Sequence, residues 1–208
     1  MNVQFYPGER RDIVAAWGLL SVAFTFFIVR ASPYTLIPQP TVPLSYLATV
    51  FGSTLATVGV GFLAHELAHK VTAVRFGQDA VFRADYTMLG LAVAGGLAGF
   101  LFAAPGAVHH RGYITPREHG LIAVAGPAVN IALVVLFSPL LFAGGVLGAT
   151  GQLGVTINGL LAGFNMIPFG PLDGATVRRQ WGTAGFAAVF TVCAGTAVVT
   201  LLFVGFPF

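Results

Sequence analysis

Apolar stretches long enough to cross a lipid bilayer recur along this chain and leave little sequence between them. A membrane-crossing helix needs about 20 predominantly apolar residues. Stretches of this kind cover about 13–29, 44–75, 88–108, 121–142, 153–169 and 183–204. Only 8% of the 208 residues are charged, against about 25% in ordinary soluble domains, so most of the surface must face lipid. The sequence therefore predicts an all-α polytopic membrane protein.

The segments between the apolar stretches are too short to form a further domain. They are a polar head up to Asp12, a joint with four prolines between 33 and 43, a polar link over 75–85 and a charged joint over 109–120. We therefore expect residues 1–208 to form a single transmembrane domain with no separate soluble domain. Cys193 is the single cysteine, which excludes an intrachain disulfide.

Basic residues occur in short clusters beside the apolar stretches, and the net charge is only +3. This distribution is typical of residues that flank membrane helices rather than of a surface that binds nucleic acid. We therefore expect the lipid bilayer as a partner and no nucleic acid.

The glycine-rich stretch 88–108 decides the topology. If it crosses the membrane, the chain has six crossings and its basic residues divide between the two sides. If it enters and returns, five crossings remain and nine of the ten bases share one face, with Arg30 opposite. The positive-inside rule favours the second arrangement and makes that face cytoplasmic. The sequence thus predicts five to six transmembrane helices, with a re-entrant or sheet-like membrane insertion at about 88–108.

The second apolar stretch ends in FLAHELAHK, which contains His65, Glu66 and His69. Residues i and i+4 of a helix lie on one face, so both imidazoles can bind one metal ion. Glu66 follows the first of these ligands and is placed to act as a general base. Ionisable side chains in an apolar span are costly and indicate a shared function. The alternative is a helix end at the interface whose His and Glu are merely solvated.

A catalytic zinc usually has three protein ligands, so a third donor is needed at a similar depth. Asp173 is the best placed, because Pro168, Gly170 and Pro171 break the helix before it and turn a carboxylate inward. Glu118, at the start of another span, is the other candidate. The ligands can meet only if the ends of the spans 44–75 and 153–169 lie at one depth, and this also favours five crossings. The active-site end and the N-terminus then both lie on the cytoplasmic side of the cell membrane.

The HELAH motif is followed about a hundred residues later by the pattern N-x-x-P-x-x-x-x-D-G, formed by Asn165, Pro168, Asp173 and Gly174. Together these motifs resemble the site-2 protease family of intramembrane zinc metalloproteases. Gly126, Pro127 and Asn130 also resemble the Gly-Pro-x-x-Asn element of that family. The resemblance covers a catalytic core of about 44–174.

The resemblance implies one zinc ion per chain, held by His65, His69 and Asp173, with Glu66 as the general base. It also implies Asn165 as a catalytic residue that orients the substrate or stabilises the oxyanion. The implied activity is regulated intramembrane proteolysis, in which the partner is a transmembrane protein substrate cut in or near its membrane segment.

Two alternatives of another class are a non-catalytic zinc-dependent membrane scaffold and a metal transporter. A transporter should carry ionisable residues along several spans, whereas here they cluster at one place, and a scaffold should tolerate loss of Glu66. The remaining histidines, His109, His110 and His119, are expected at the interface, where polar residues are solvated.

Overall fold

A computed structural model describes residues 3–31, 42–101 and 105–207 and shows a mostly helical chain with one small antiparallel sheet. The proline-rich joint before Leu44 lies mostly outside these ranges. The elements are α1 (Glu9–Ala31), α2 (Leu44–Arg75), β1 (Asp79–Ala84), α3 (Tyr86–Ala98), β2 (Gly106–Arg111), α4 (Pro116–Phe137, extended by a 3₁₀ turn to Phe142), α5 (Gly145–Asn165) and α6 (Asp173–Phe203).

Four of the helices in the described ranges, α1, α2, α4 and α6, are long and apolar enough to cross a membrane. Their apolar side chains face outwards as well as inwards. In the most apolar 18-residue stretch of α6, only 11% of the residues are buried. Leu202 and Phe203 of that helix are 72% and 81% exposed. An apolar surface of this extent suits lipid rather than water, so the structure supports the expected multi-pass membrane protein.

The element expected at 88–108 is only partly sheet-like. Its first part is the short helix α3, which begins at an Asp85 cap and ends at the left-handed Gly99. At 1.5 Å per residue α3 is about 20 Å long, too short to cross a hydrocarbon core of about 30 Å. Its last part is β2, whose antiparallel partner β1 lies in the segment that the sequence indicated as a polar link. The insertion expected at 88–108 therefore shares its sheet with residues 79–84.

Helix α2 contains one π-helical turn, Leu55–Gly59, directly before the segment that carries His65. The indole Nε1 of Trp17 in α1 donates a hydrogen bond to the Leu55 carbonyl at 3.0 Å. Gly59 is required here, because a Cβ would lie 2.3 Å from the Trp17 ring. The π turn sets the rotation of the following helical segment and so the direction in which its side chains face.

Helix α5 is longer at its start than the predicted span 153–169 and ends at Asn165. It contacts α4 and α6, and much of it is buried. The proline- and glycine-rich turn after it leads into α6, whose first residue is Asp173. A break at Gly182 (φ 71°) divides α6, and the segment beyond the break matches the predicted last span from 183. The chain thus ends α5 four residues before the predicted end of the span and brings Asp173 back towards α2.

Candidate metal site

The structure brings together three side chains from α2 and α6. Oδ2 of Asp173 lies 3.2 Å from Nε2 of His65 and 3.4 Å from Nε2 of His69. The two imidazole rings are 4.7 Å apart between centroids and nearly perpendicular. His65 and His69 are buried, and Asp173 is only 17% exposed in its side chain. One nitrogen of each ring and one carboxylate oxygen therefore point at a common position.

Hydrogen bonds on the far side of each ring fix its orientation. Nδ1 of His69 lies 2.7 Å from the Ile122 carbonyl, which can only accept, so Nδ1 carries the proton of the neutral ring. Nδ1 of His65 lies 2.6 Å from Oδ1 of Asn130. With Nδ1 as the donor of each ring, Nε2 is the atom that faces Asp173 and that a metal ion would bind.

The orientation of the Asn130 amide is itself fixed by a buried chain of hydrogen bonds. Its Nδ2 donates to the Gly61 carbonyl at 3.2 Å and to Oδ1 of Asn158 at 2.8 Å. Asn158 in turn donates to the Gly154 carbonyl at 2.8 Å. Because backbone carbonyls only accept, each amide has one consistent orientation, and Oδ1 of Asn130 faces His65 as an acceptor. The Gly-Pro-x-x-Asn element thus supports the first histidine from behind.

These residues fit a single divalent metal ion such as zinc. Oδ2 of Asp173 is buried without a hydrogen-bond donor among the described residues, although two nitrogen atoms lie within 3.4 Å. Tetrahedral ligands at 2.0–2.1 Å from zinc are roughly 3.3 Å apart, which matches these separations. A cation would stabilise three electron-pair donors that otherwise repel one another.

Gly126 leaves the space that such an ion needs. A Cβ at this position on α4 would lie 2.5 Å from Nε2 of His65 and 2.5 Å from Nε2 of His69. No side chain can occupy that volume without moving the imidazoles. The Gly-Pro-x-x-Asn element therefore provides both the room beside the nitrogen atoms and the support of one ring.

Glu66 lies beside this cluster and is held by the sheet. It is 9% exposed, and its Oε2 accepts a hydrogen bond of 3.1 Å from the backbone amide of Val108 in β2. The carboxylate therefore has a defined orientation next to the candidate metal position.

The other predicted residues take different positions. Nδ2 of Asn165, the last residue of α5, donates to the Leu161 carbonyl at 2.9 Å, so its recorded hydrogen bond is within its own helix. Its catalytic role stays a prediction. Glu118, the other candidate for a third ligand, forms a capping box with Thr115 at the start of α4 and is not part of the cluster.

The three remaining histidines differ in exposure. His109 is exposed, whereas His110 and His119 are half-buried with ring centroids 5.4 Å apart. Nδ1 of His119 also lies 3.2 Å from Nε2 of Gln180. Burial lowers the pKa of His110, and the nearby His119 lowers it further.

Sequence reasoning missed a buried ion pair next to the cluster. Lys70 was expected as one of the bases that mark a membrane face, but it is fully buried against the carboxylate of Glu9, which is buried too. The sequence gives too weak a signal to indicate this contact. It shows only a Lys directly after the HELAH motif and an acid in an N-terminal segment that is otherwise rich in arginine. The other nine bases are exposed, as expected for flanking charges.

Taken together, the fold and the cluster define a helical multi-pass membrane protein with a buried His–His–Asp group that can hold one metal ion. The chain is 44% identical to a Methanocaldococcus jannaschii protein, covering 67% of this chain and 78% of that one. It is 30% identical to YwhC of Bacillus subtilis, covering 77% and 84% of the two chains. The chain belongs to the site-2 protease family.

The names of the relatives are consistent with this membership, since each is called a putative zinc metalloprotease. Rip3 of Mycobacterium tuberculosis is 30% identical over 89% of this chain, which spans about half of the length of Rip3 (46%). No family model matches the chain. No solved structure matches it either.

Proposed function

We propose that this protein is an intramembrane zinc endopeptidase that hydrolyses peptide bonds in or near the transmembrane segments of membrane protein substrates. The observation that carries the proposal is the convergence of His65, His69 and Asp173, beside Glu66, among helices with an apolar outer surface. The names of the relatives support the metalloprotease chemistry. The lipid-facing helices support a substrate that reaches the site from the bilayer.

The residues divide the chemistry between them. A bound zinc ion supplies a Lewis acid that activates water and polarises the scissile carbonyl. His65, His69 and Asp173 hold the ion, and the hydrogen bonds at Nδ1 keep both rings in the tautomer that binds metal. Glu66 takes the proton of the attacking water on its carboxylate and delivers it to the leaving amide nitrogen. Asn165 is proposed to orient the substrate or to stabilise the oxyanion.

The outer edge of β2 is the proposed guide for an extended substrate. Within the described residues the sheet has two strands, so the edge of β2 that faces away from β1 has no strand partner, and Glu66 binds this edge at the Val108 amide. A substrate helix has its peptide groups hydrogen-bonded internally and must unwind before attack. Pairing with a strand edge supplies the unwound segment with new hydrogen-bond partners. By the positive-inside rule, we propose that the N-terminus and the active-site end lie on the cytoplasmic side.

The test compares the wild-type protein with Glu66→Gln after reconstitution with a single-span model substrate. Mass spectrometry of the products reports cleavage, and elemental analysis reports zinc. We expect one zinc per chain in both proteins and loss of cleavage of at least about a hundredfold in Glu66→Gln, because general-base catalysis contributes about 10²–10⁴. Glu118→Gln is the matched control, since it makes the same chemical change at a helix cap two turns before Gly126.

Undiminished cleavage by Glu66→Gln would refute the proposed chemistry. Two results together would favour the scaffold. The wild-type protein would not cleave the substrate, and its function in cells would survive Glu66→Gln but be lost on removal of His65. Zinc flux into proteoliposomes would favour the transporter.

A further inference from the structure

The carboxylate of Glu9 contacts three separate parts of the structure although it lies near the start of α1. It forms the buried ion pair with Lys70 of α2. Its Oε1 accepts a hydrogen bond of 3.0 Å from the Phe82 amide of β1, and its Oε2 accepts one of 2.9 Å from the Tyr6 amide. Glu9 is fully buried. A buried carboxylate with this number of donors holds its partners in a fixed arrangement.

Phe82 is the residue of β1 that stands opposite Val108 in β2. In an antiparallel ladder, opposite residues alternate between pairs that exchange hydrogen bonds and pairs whose amides point outwards. The Phe82 amide binds Glu9 and the Val108 amide binds Glu66, so this pair is of the second kind. The hydrogen bond from the Asp85 amide to the Pro105 carbonyl, three positions along, agrees with that alternation.

The sheet is therefore held on both edges at one level by two glutamates, Glu9 on the edge of β1 and Glu66 on the edge of β2. Both anchors lead back to the same helix. Lys70 follows Glu66 by four residues on α2, so the two side chains lie on one helix face. Glu66, Val108, Phe82, Glu9 and Lys70 thus form a closed ring of contacts between the helix and the sheet.

We propose that Glu9 is a positioning residue for Glu66: it holds β1 at Phe82, so that Val108 presents its amide to Glu66 from the opposite edge. This inference rests on the proposed function of Glu66 as the general base. Removal of the Phe82 contact lets the sheet move relative to α2, and the Glu66 carboxylate then loses its fixed direction. An acid about sixty residues away in sequence thereby acts on the reaction without contacting the substrate.

Removal of Glu9 alone would leave Lys70 buried without a counter-ion, which destabilises a protein by itself. The test therefore removes both charges and varies the acceptor for Phe82. In Glu9→Gln/Lys70→Met the amide oxygen can still accept from the Phe82 amide, whereas in Glu9→Leu/Lys70→Met no acceptor remains. In both variants the ion pair is lost, and the Tyr6 amide loses its acceptor while the Gln oxygen faces Phe82.

We expect the Gln/Met variant to cleave a model substrate within about twofold of the wild-type rate. The Leu/Met variant should be slower by about ten- to a hundredfold, because small displacements of catalytic groups have effects of that size. Both variants should fold and keep one zinc per chain, with the lower melting temperature in the Leu/Met variant because its buried Phe82 amide has lost its acceptor. The Val108 amide, followed by hydrogen exchange with selective ¹⁵N-valine labelling, should exchange at least tenfold faster in the Leu/Met variant only.

Equal cleavage and equal Val108 exchange in the two variants would overturn the inference. Failure of either variant to fold would also overturn it, since Glu9 would then serve stability alone. The exchange measurement needs no catalytic activity. If the wild-type protein hydrolyses nothing, the proposed function fails, while Val108 exchange still reports whether Glu9 sets the position of β2.

Discussion

Substitution of Gly126 by Ala tests the metal site most directly, because it adds one methyl group and removes no ligand. The new Cβ would lie 2.5 Å from Nε2 of both His65 and His69, whereas ordinary contacts begin at 3.4 Å. The rings must therefore retreat by about 0.9 Å. They cannot do so freely, since Asn130 and the Ile122 carbonyl bind their Nδ1 atoms at 2.6 and 2.7 Å.

Changes to groups that merely orient metal ligands lower affinity about 10–100-fold. A methyl group that displaces two ligands at once should reach the upper end of that range. We expect Gly126→Ala to bind zinc at least about a hundredfold more weakly, which corresponds to roughly 2.7 kcal/mol, and to lose cleavage in proportion.

Zinc affinity can be measured by competition with a chelator of known affinity in detergent, followed by elemental analysis. The control is Gly52→Ala, which makes the same change in α2 at a position where a Cβ meets nothing within 4 Å. Gly52→Ala should keep its zinc and its thermal stability. Wild-type zinc affinity in a folded Gly126→Ala protein would refute the assignment of this space to the metal.

Two further substitutions test the support of the ligands. Asn130→Ala removes the hydrogen-bond acceptor of the His65 imidazole, so zinc affinity should fall about 10–100-fold in the same competition assay. Unchanged affinity would show that the Asn130 amide does not orient the ring. Gly174→Ala places a Cβ 2.1 Å from the Met166 carbonyl oxygen, so the turn that carries Asp173 must shift. We expect a lower melting temperature together with loss of zinc. Retention of stoichiometric zinc would contradict this account.

The cluster of His65, His69 and Asp173 could be predicted from the sequence because its signals are local. His65 and His69 share a helix face through a four-residue spacing, and the prolines and glycine before Asp173 end one helix and begin the next. The amide chain behind His65 could not be derived in the same way. Asn130 stood out only through its resemblance to a family element, and its partner Asn158 carries no pattern that indicates a contact with another helix.

The sheet and the ion pair show where sequence reasoning ends. Each strand has only six residues, and neither alternation nor a tight turn indicates the pairing of Asp79–Ala84 with a strand more than twenty residues later. Counting of charges placed Lys70 at the membrane face, because a count by position cannot show that Glu9 neutralises it. Long-range partners of single side chains depend on how the helices pack, and no local sequence pattern predicts that packing.

The position of Asp173 at the start of the last helix has a consequence for the order of assembly. His65 and His69 are synthesised about a hundred residues before Asp173. Two imidazoles on one helix make an incomplete site, and metal binding is coupled to the folding that unites the ligands. A nascent chain therefore has all three residues of the candidate metal site only when α6 begins to emerge. A metal ion bound there would join the first half of the chain to its last helix, and only the completed bundle would carry the site.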